Sequence, residues 1–566
     1  MKVVIAQINP IPGDFTGNVS QIQEAISKAA KEGAQLVVMP EMSIPGYLCR
    51  DSMLNEGFVD MNLKGLATIV SSTLDALGVT VVVGYVDKNR TGAGKPFHNC
   101  AAVVRDGCIV ATYRKQLLPF YDVFDEGRYF EPGTELTTVE IEGRKFGIVI
   151  CEDLWNDKGV DDYAHHNNPV ERYRAIGVRY LISLNSSPYI IGKPLQRDRM
   201  VNEITKQGGL LIYVNQVGGM DDLLFDGNSC LSINGTTAFA CGDKKGNFCV
   251  DVMDSHGFQA LKDGMPQLKQ HIVSGLRDYV HKSGFKSVVV ASSGGIDSAL
   301  VLCLACEAFG PQNVHAIRMP SEYSSKGSVD DALALHIALG CHDYMAPINH
   351  RELLTSLQGA YARATASFGS YAKVADENVQ ARLRAINLMH FSNAFGAIAL
   401  TTGNKSENAT GYCTLGGDMM GGFAPIQDLY KTQVYEMSRL YKQIPSEILE
   451  KAPSAELAPD QKDEDSLLPY LILDLIIYAY IELRISTYNS FMNVYESSFF
   501  PTFDRFHVEA ARKGFVTMED AVMQYARIIR LIDMSEFKRR QSAPGIKVSR
   551  VAFGSGRRFP IARKRW

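Results

Sequence analysis

A strong excess of charge of either sign is missing from this chain. Its 58 Lys and Arg stand against 62 Asp and Glu in 566 residues, a net charge of −4. That balance argues against a protein built mainly to coat nucleic acid or an acidic membrane. Paired cysteine spacing is missing too. The 11 cysteines, an odd number, are scattered from Cys49 to Cys413 and read as reduced thiols, not a disulfide framework. The most apolar late stretch, 467–483, carries Pro469, Asp474 and Glu482 and is too short and too charged to span a bilayer. The start, MKVVIAQINPIP, has one Lys and an apolar run broken by Asn and Pro, and reads as a first core strand and not a signal peptide. Internal repeats and low-complexity tracts are absent, as is the ordinary ATPase phosphate loop GxxxxGK(S/T). A soluble, cytoplasmic protein with no nucleic-acid or membrane partner is expected.

What is present suits a globular protein with more than one core: 46% hydrophobic and 21% charged residues, over a length that favours two domains. Short β-branched runs punctuate the first half at 2–8, 35–39, 79–86, 101–105, 145–151, 180–185 and 210–215. Helix-like stretches separate several of them, for example 19–32 with apolar Ile22, Ala25, Ile26 and Ala29. Such alternation predicts layered α/β packing. The pattern loosens over 242–264, which sets the expected organisation as a first domain over 1–250, a linker over 251–270 and a second domain over 271–566. The second domain opens on another α/β pattern: the run SVVVA, a Gly-rich turn, a helix over 298–309, and strands over 314–319 and 397–401.

Three residues in the first half carry candidate chemistry. Glu41 follows a buried-looking strand in LVVMPEM, Lys115 follows a strand in YRKQLLPFY, and Cys151 ends the run KFGIVIC. A nucleophilic cysteine acts as its thiolate, so a base must take the proton. A tetrahedral intermediate at an amide carbon needs positive charge or N–H donors at its oxyanion. Singly, a Cys at a strand end is more often a small core residue, and a Glu or Lys beside a strand more often faces water. The surrounding words shift that weight. MPEMSIPGY, RKQLLPFY with VFDEGRYFEPG, and CEDLW resemble the signatures of the carbon–nitrogen hydrolase (nitrilase) superfamily. The resemblance implies an αββα sandwich in which Glu41 is the general base, Lys115 stabilises the oxyanion and Cys151 forms a thioester. Tyr121, with Ser187 and Lys193 of SSPYIIGK, resembles the glutamine contacts of the glutaminase branch. A hydroxyl and an ammonium suit an amino-acid carboxylate. Asp125 and Glu126 stay open as alternatives for a substrate ammonium or for assisting the base. VGGMDDLLFDG departs from the family pattern at Met220.

In the second half, VVVASSGGIDSALV puts a Gly-rich turn between a strand and a helix. Glycines let backbone N–H groups approach phosphate, and the helix start adds partial positive charge. Ser293 and Ser298 offer hydroxyls, and the Asp297 carboxylate could hold magnesium. From spacing alone, a Ser/Asp-capped strand–helix turn reads as well. SGGIDS resembles the PP-loop of the N-type ATP pyrophosphatases, with Ala291 and Ser292 where relatives commonly carry Gly-Leu. MPSEYSSKGSVDDA, DENVQARLRA, TTGNKSENATGYCTLGGDM, PIQDLYKTQVY, PSAEL and FKRRQSAPGIK extend the likeness to the glutamine-dependent NAD⁺ synthetase family over nearly the whole chain. The second domain is then a doubly wound, Rossmann-like parallel sheet.

That likeness implies ATP contacts at Ala291, Ser292, Ser293, Gly294, Gly295, Ile296, Asp297, Ser298 and Thr402. It implies deamido-NAD⁺ contacts at Asn378, Glu407 and Lys538, and a Mg²⁺ pair in Asp297 and Glu407. The implied partners are deamido-NAD⁺, ATP and L-glutamine, in a homo-oligomer whose sites are joined by an ammonia tunnel. In PSAEL and the residues after it, Ala458 stands where the family carries Arg. The last thirty residues hold ten Lys or Arg and no acid, a tail expected to close over a pyrophosphate-rich substrate. Cys303 and Cys306 are expected to be core packing.

Overall fold

A computed structural model describes residues 1–155, 167–252, 263–365, 372–454, 456–458, 463, 467–496 and 518–562. The chain divides into two compact units, Met1–Gly264 and Met265–Trp566. Arg563, Lys564 and Arg565 of the basic tail lie outside the described residues.

In the first unit the strands run β1 (Lys2–Gln7), β2 (Leu36–Val38), β3 (Thr80–Lys88), β4 (Phe97–Arg105), β5 (Cys108–Arg114), β6 (Thr138–Ile141), β7 (Arg144–Ile150), β8 (Tyr180–Asn185), β9 (Leu210–Asn215), β10 (Val217–Met220), β11 (Leu223–Asp226), β12 (Cys230–Ile233), β13 (Thr236–Ala240) and β14 (Gly246–Asp251). Two mixed six-stranded sheets result, in the orders β14-β1-β2-β3-β4-β5 and β13-β12-β9-β8-β7-β6. The hairpin of β10 and β11 stands apart. Four helices belong to this unit: α1 (Phe15–Glu32), α2 (Phe58–Ser72), α3 (Pro169–Ala175) and α4 (Lys193–Thr205).

Successive strand residues face opposite sides, and the sequence exploits that period. Val3, Ile5, Leu36 and Val38 of one sheet meet Ile148, Ile150, Ile182, Leu184, Ile212 and Val214 of the other in a single core. The intervening Val4, Ala6, Val37 and Met39 turn outward onto Ile22, Ala25 and Ile26 of α1 and Leu66 and Ile69 of α2. Val149, Leu181, Leu211 and Tyr213 likewise turn outward with Tyr173 of α3 and Val201 of α4. The layers are therefore αββα. Because both faces of each central strand are buried, the strands read as continuous apolar runs, and their polar ends project where the runs stop.

Inside this unit the Arg197 guanidinium on α4 makes a two-pronged pair with Asp226 on β11, both contacts at 2.9 Å. Arg197 is 2% exposed and Asp226 fully buried. Removing one partner strands a charge out of water. Asp226→Ala is expected to cost about 3–5 kcal/mol, read as a lowered denaturant midpoint; an unchanged midpoint would contradict the pair's role. Met220, the departure noted above, is 4% exposed and packs with Met42, Tyr47 and Phe225, so it serves the core of this hairpin.

The second unit is built on four parallel strands, β15 (Val288–Ser292), β16 (Val314–Arg318), β17 (His342–Met345) and β18 (Ile398–Leu400), in the order β17-β16-β15-β18. Its helices begin with α5 (Met265–Lys282), α6 (Ile296–Phe309), α7 (Lys326–Leu339), α8 (Arg351–Ala364), α9 (Val374–Phe395), α10 (Lys405–Thr410) and α11 (Lys431–Ser438). Leu388 of α9 packs on Val289, Ile317 and Ala399. Val288 and Val290 alternate with Val289 and face the other side, where α6 lies against β15. A parallel sheet covered on both faces is the doubly wound arrangement. The apolar stretch 467–483 forms a helix, Tyr470–Ile481, buried against the helix Met518–Met534. Among the described residues no helix is long and apolar enough to cross a membrane.

Candidate active sites

Glu41 comes just after β2, Lys115 just after β5, and Cys151 at the end of β7. All three are enclosed: Glu41 is 0%, Lys115 1% and Cys151 4% exposed. The Lys115 Nζ lies 2.7 Å from Glu41 Oε1 and 2.8 Å from Glu126 Oε1. Asn99 donates to Glu41 Oε1 at 2.7 Å and the Ser186 N–H to Oε2 at 3.0 Å, so the carboxylate is fixed at both oxygens. Burial pushes the Cys151 thiol well above its ordinary range; Glu41 pushes the same way and Lys115 opposes it. The resting sulfur is thus a thiol beside a carboxylate and an ammonium. Burial alone would lower Lys115, but Glu126 and Glu41 hold it well above its usual value and keep it charged.

Cys151 sits at φ +45°, where the strand breaks into the short 3-10 turn Cys151–Leu154. A residue with a Cβ takes that conformation at a cost, and such positions cluster at reacting groups. The Asp153 carboxylate clamps the turn. It accepts from the N–H groups of Ile150 at 2.9 Å, Gln116 at 3.2 Å and Leu117 at 2.9 Å, and from the Tyr113 hydroxyl at 2.8 Å. The loop carrying Lys115 is thereby tied to the turn carrying Cys151.

Between the two open acids, the geometry picks one. Asp125 is exposed, whereas Glu126 is 6% exposed and accepts from the Tyr47 hydroxyl at 2.8 Å as well as from Lys115. Burial raises the Glu126 carboxyl to about 7, with Lys115 opposing and Glu41 adding to the rise. It ionises as pH climbs through that value, giving Lys115 its second carboxylate. We expect the amidohydrolase rate to rise through about pH 7, and Glu126→Gln to lose that inflection together with about a hundredfold in rate. A pH–rate profile of the variant that keeps the inflection would contradict this. For stability the sign is opposite: a carboxyl raised from 4.5 stabilises the fold at low pH, and that contribution fades as pH rises through about 7.

Of the residues expected at glutamine, the Tyr121 hydroxyl donates to Glu152 Oε2 at 3.1 Å. Ser187 is buried with its N–H on Asn215 Oδ1 at 2.9 Å, and Lys193 sets its Nζ 3.8 Å from the centre of the Trp155 ring. Trp155 directly follows the Cys151 turn.

In the second unit the residues expected to form the phosphate loop, Ala291 through Ser298, line one wall of a cavity of about 440 Å³. Arg318, Asn378, Thr402, Glu407, Lys431 and Lys538 line it as well. Gly294 stands at φ +78°, and the loop closes on itself through Gly295 N–H to Ser293 Oγ at 3.2 Å and Ser298 Oγ to Gly295 O at 3.0 Å. Helix α6 starts directly behind it.

Asp297 and Glu407 both face one cation, the Lys431 Nζ, which is ion-paired with Asp297 and lies 3.1 Å from Glu407 Oε1. Asn404, fully buried, caps α10 and donates to Asp297 Oδ1 at 2.9 Å. Burial lifts the Glu407 carboxyl to about 8, with Lys431 pulling it down and Asp297 pushing it up. Burial would lower Lys431, but Asp297 and Glu407 hold it above its ordinary value. Asn378 accepts from Thr414 Oγ1 at 2.7 Å. The Lys538 ammonium donates to the carbonyls of Gly411 and Cys413, each at 2.7 Å.

The basic tail behaves differently from the expectation. Of its described residues only Lys538 lines the cavity. Arg539 donates to the carbonyls of Asn408 and Ala409, and Lys547 to that of Ser549. Exposed helix ends and turns offer carbonyls that cations satisfy, so these charges fasten the end of the chain to the fold. Cys303 is buried as core, whereas the neighbouring Cys306 is half-buried. Lys431, Asn404, Asn99 and Asp153 were not singled out from sequence. Lys431 and Asn404 lie in PIQDLYKTQVY and TTGNKSE, words already noted for their family likeness, and that was the available signal.

Fold and sites together define an α/β enzyme that joins a thiol amidohydrolase to a nucleotide-using ligase. The carbon–nitrogen hydrolase family model matches residues 2–173 and the NAD synthase model residues 268–497. The glutamine-dependent NAD(+) synthetase of Thermotoga maritima is 37% identical over 617 residues, covering 100% of this chain and 99% of that relative. That of Acinetobacter baylyi is 38% identical over 576 residues, covering 99% and 98%. A solved glutamine-dependent NAD+ synthetase from Acinetobacter baumannii, in complex with adenosine diphosphate, is 34% identical with a TM-score of 0.72, covering 99% and 98%. The chain belongs to the glutamine-dependent NAD(+) synthetase family.

Proposed function

We propose that this enzyme converts deamido-NAD⁺ to NAD⁺ with nitrogen taken from L-glutamine and energy from ATP. The observation that carries the reading is the pairing, on one chain, of an enclosed thiol–carboxylate–ammonium site with a phosphate-loop cavity lined by an acid pair. Neither chemistry explains the other's presence unless ammonia passes between them.

At the first site the glutamine amide carbon meets Cys151. Glu41 takes the thiol proton as sulfur attacks, because a buried thiol held above its ordinary range is not pre-ionised. Lys115 then faces the developing oxyanion, and protonation of Glu41 leaves more of its charge uncompensated at that moment. The tetrahedral intermediate expels ammonia with the proton returned from Glu41, and water hydrolyses the thioester to glutamate. Tyr121, Ser187 and Lys193 would bind the amino-acid end of glutamine.

At the second site the deamido-NAD⁺ carboxylate attacks the α-phosphorus of ATP, and pyrophosphate leaves. Ammonia attacks the resulting acyl adenylate and displaces AMP, giving the amide. The loop Ala291–Ser298 and Thr402 would cradle ATP, while Asn378, Glu407 and Lys538 would receive deamido-NAD⁺. Two carboxylates that already converge on one cation fit a magnesium ion held otherwise by phosphate oxygens and water. Among the described residues no group of three or more His, Cys, Asp or Glu could hold a metal alone. Asp297 and Glu407 would hold Mg²⁺, which supplies charge neutralisation at the phosphates when bound. Lys431, whose ammonium now bridges the two carboxylates, would have to turn aside, toward the phosphates, for them to hold that ion. Free ammonia at pH 7 is mostly non-nucleophilic ammonium, so transfer through a dry path between sites, within a homo-oligomer, keeps it reactive.

The test is NAD⁺ formation from deamido-NAD⁺, ATP and Mg²⁺ with glutamine or with ammonium chloride. Product from both nitrogen sources, with AMP and pyrophosphate released in equal amounts, is expected. No NAD⁺ from either source would assign the cavity to another carboxylate.

A further inference from the structure

One polar chain in the second unit starts at Ser292, at the entrance to the phosphate loop, and runs away from the acid pair. Ser292 is the last residue of β15, immediately before the loop, and it pairs in register with Arg318, the last residue of β16. Both line the nucleotide cavity. Behind them His336 of α7 is 1% exposed. Its Nε2 lies 2.8 Å from Ser292 Oγ and its Nδ1 2.6 Å from Asp343 Oδ1, at the start of β17. Asp343 in turn takes a two-pronged pair from Arg318, Nε to Oδ1 at 2.7 Å and Nη2 to Oδ2 at 2.5 Å. Three adjacent strands and one helix each contribute one member.

The tautomer follows from the partners. A carboxylate only accepts, so Nδ1–H donates to Asp343 and Nε2 accepts the Ser292 hydroxyl proton. Burial lowers the imidazole below its usual value, with Asp343 opposing and Arg318 adding to the fall. Arg318 spends Nε and Nη2 on Asp343, and the residue itself lines the cavity. A guanidinium fixed in this way offers preset donors to an anionic oxygen.

We propose that Ser292–His336–Asp343–Arg318 is a positioning relay for the nucleotide half-reaction, in which neutral His336 fixes Asp343 so that Arg318 presents its remaining N–H groups to a phosphate oxygen of ATP. The proposal rests on the reading of the cavity as the ATP site. His336 touches no substrate; it acts through Arg318.

The experiment is steady-state NAD⁺ synthesis with saturating ammonium, varying ATP and then deamido-NAD⁺, in the full chain. Parent, His336→Leu, His336→Gln, Ser292→Ala, Arg318→Lys and the double variant His336→Leu/Arg318→Lys are compared. His336→Leu is expected to raise the ATP KM about tenfold while the deamido-NAD⁺ KM and the glutaminase rate stay within about twofold, an effect of the size one lost charge-assisted contact produces. His336→Gln, which keeps a donor and an acceptor, recovers most of the loss. Ser292→Ala gives a smaller rise, and the double variant is no worse than Arg318→Lys alone, since the two act as a unit. Equal losses in both KM values, or a lowered unfolding midpoint with no ATP-specific change, overturn the relay. Independent, additive losses in the double variant overturn it too. A parent that makes NAD⁺ without saturable ATP dependence would instead remove the reading of the cavity, and the relay with it.

Discussion

Cys151→Ala is expected to cut glutamine-driven NAD⁺ formation by about 10⁴-fold or more, the scale on which losing a catalytic nucleophile operates. Ammonium-driven synthesis should stay within about twofold of the parent, because nothing at the phosphate-loop cavity depends on the thiol. The split follows from the fold. Cys151 lies in the core of the first unit, Met1–Gly264, and the cavity residues belong to Met265–Trp566. Alanine removes only the sulfur from a side chain in a buried cluster, so the sandwich survives the change. Steady-state rates with each nitrogen source, from one preparation, provide the check. A variant that still uses glutamine at a tenth of the parent rate would remove Cys151 from the mechanism. A variant that loses both nitrogen sources would point to damage beyond the glutaminase site.

That separation is legible in the sequence because each candidate reacting residue ends a strong apolar run. Glu41, Lys115 and Cys151 follow β2, β5 and β7, and in a sandwich buried on both sheet faces the strand ends are where polar groups can meet. The phosphate loop was legible for the same reason, as the break between the run Val288–Ser292 and α6. What stayed hidden depends on distances between remote segments. Asp125 and Glu126 are adjacent in sequence and equally acidic, yet only Glu126 is turned inward to Lys115. Lys431 reads as an ordinary surface lysine until α11 sets it between Asp297 and Glu407. The run of basic residues at the end carried a compositional signal with the wrong address. Arg539 and Lys547 hold backbone carbonyls, and only Lys538 reaches the cavity among the described residues. Charge counts locate neither partner nor burial, so composition alone does not say which of these cations meets a carbonyl and which meets the cavity.

Gly294→Ala is expected to remove ATP-dependent amide formation with either nitrogen source by about 10²–10³-fold, the scale seen when preset donors to developing charge are lost. The glutaminase rate should be untouched. Two effects add at this position. Gly294 stands at φ +78°, where a residue with a Cβ pays about 1–2 kcal/mol. A Cβ there would also lie 2.1 Å from the Ser328 carbonyl oxygen, so backbone must move. Ser328 cannot easily yield, since its N–H is held by Ser325 Oγ at 3.1 Å and its hydroxyl by Glu456 at 2.6 Å. The loop is the part free to shift, and a shifted loop no longer points its N–H groups at phosphate. Gly295 is the control. Its φ of −92° suits any L residue, and an added Cβ would approach only the Ser293 hydroxyl, at 3.2 Å. Gly295→Ala should therefore lose about tenfold or less, within the range of overpacking effects. Rates with saturating ammonium, measured beside ATP binding by calorimetry, distinguish the two variants. If Gly294→Ala binds ATP and turns over like the parent, the loop does not cradle phosphate in this conformation. If both glycine variants fail equally, the loss comes from crowding of the nucleotide and not from the backbone geometry at Gly294.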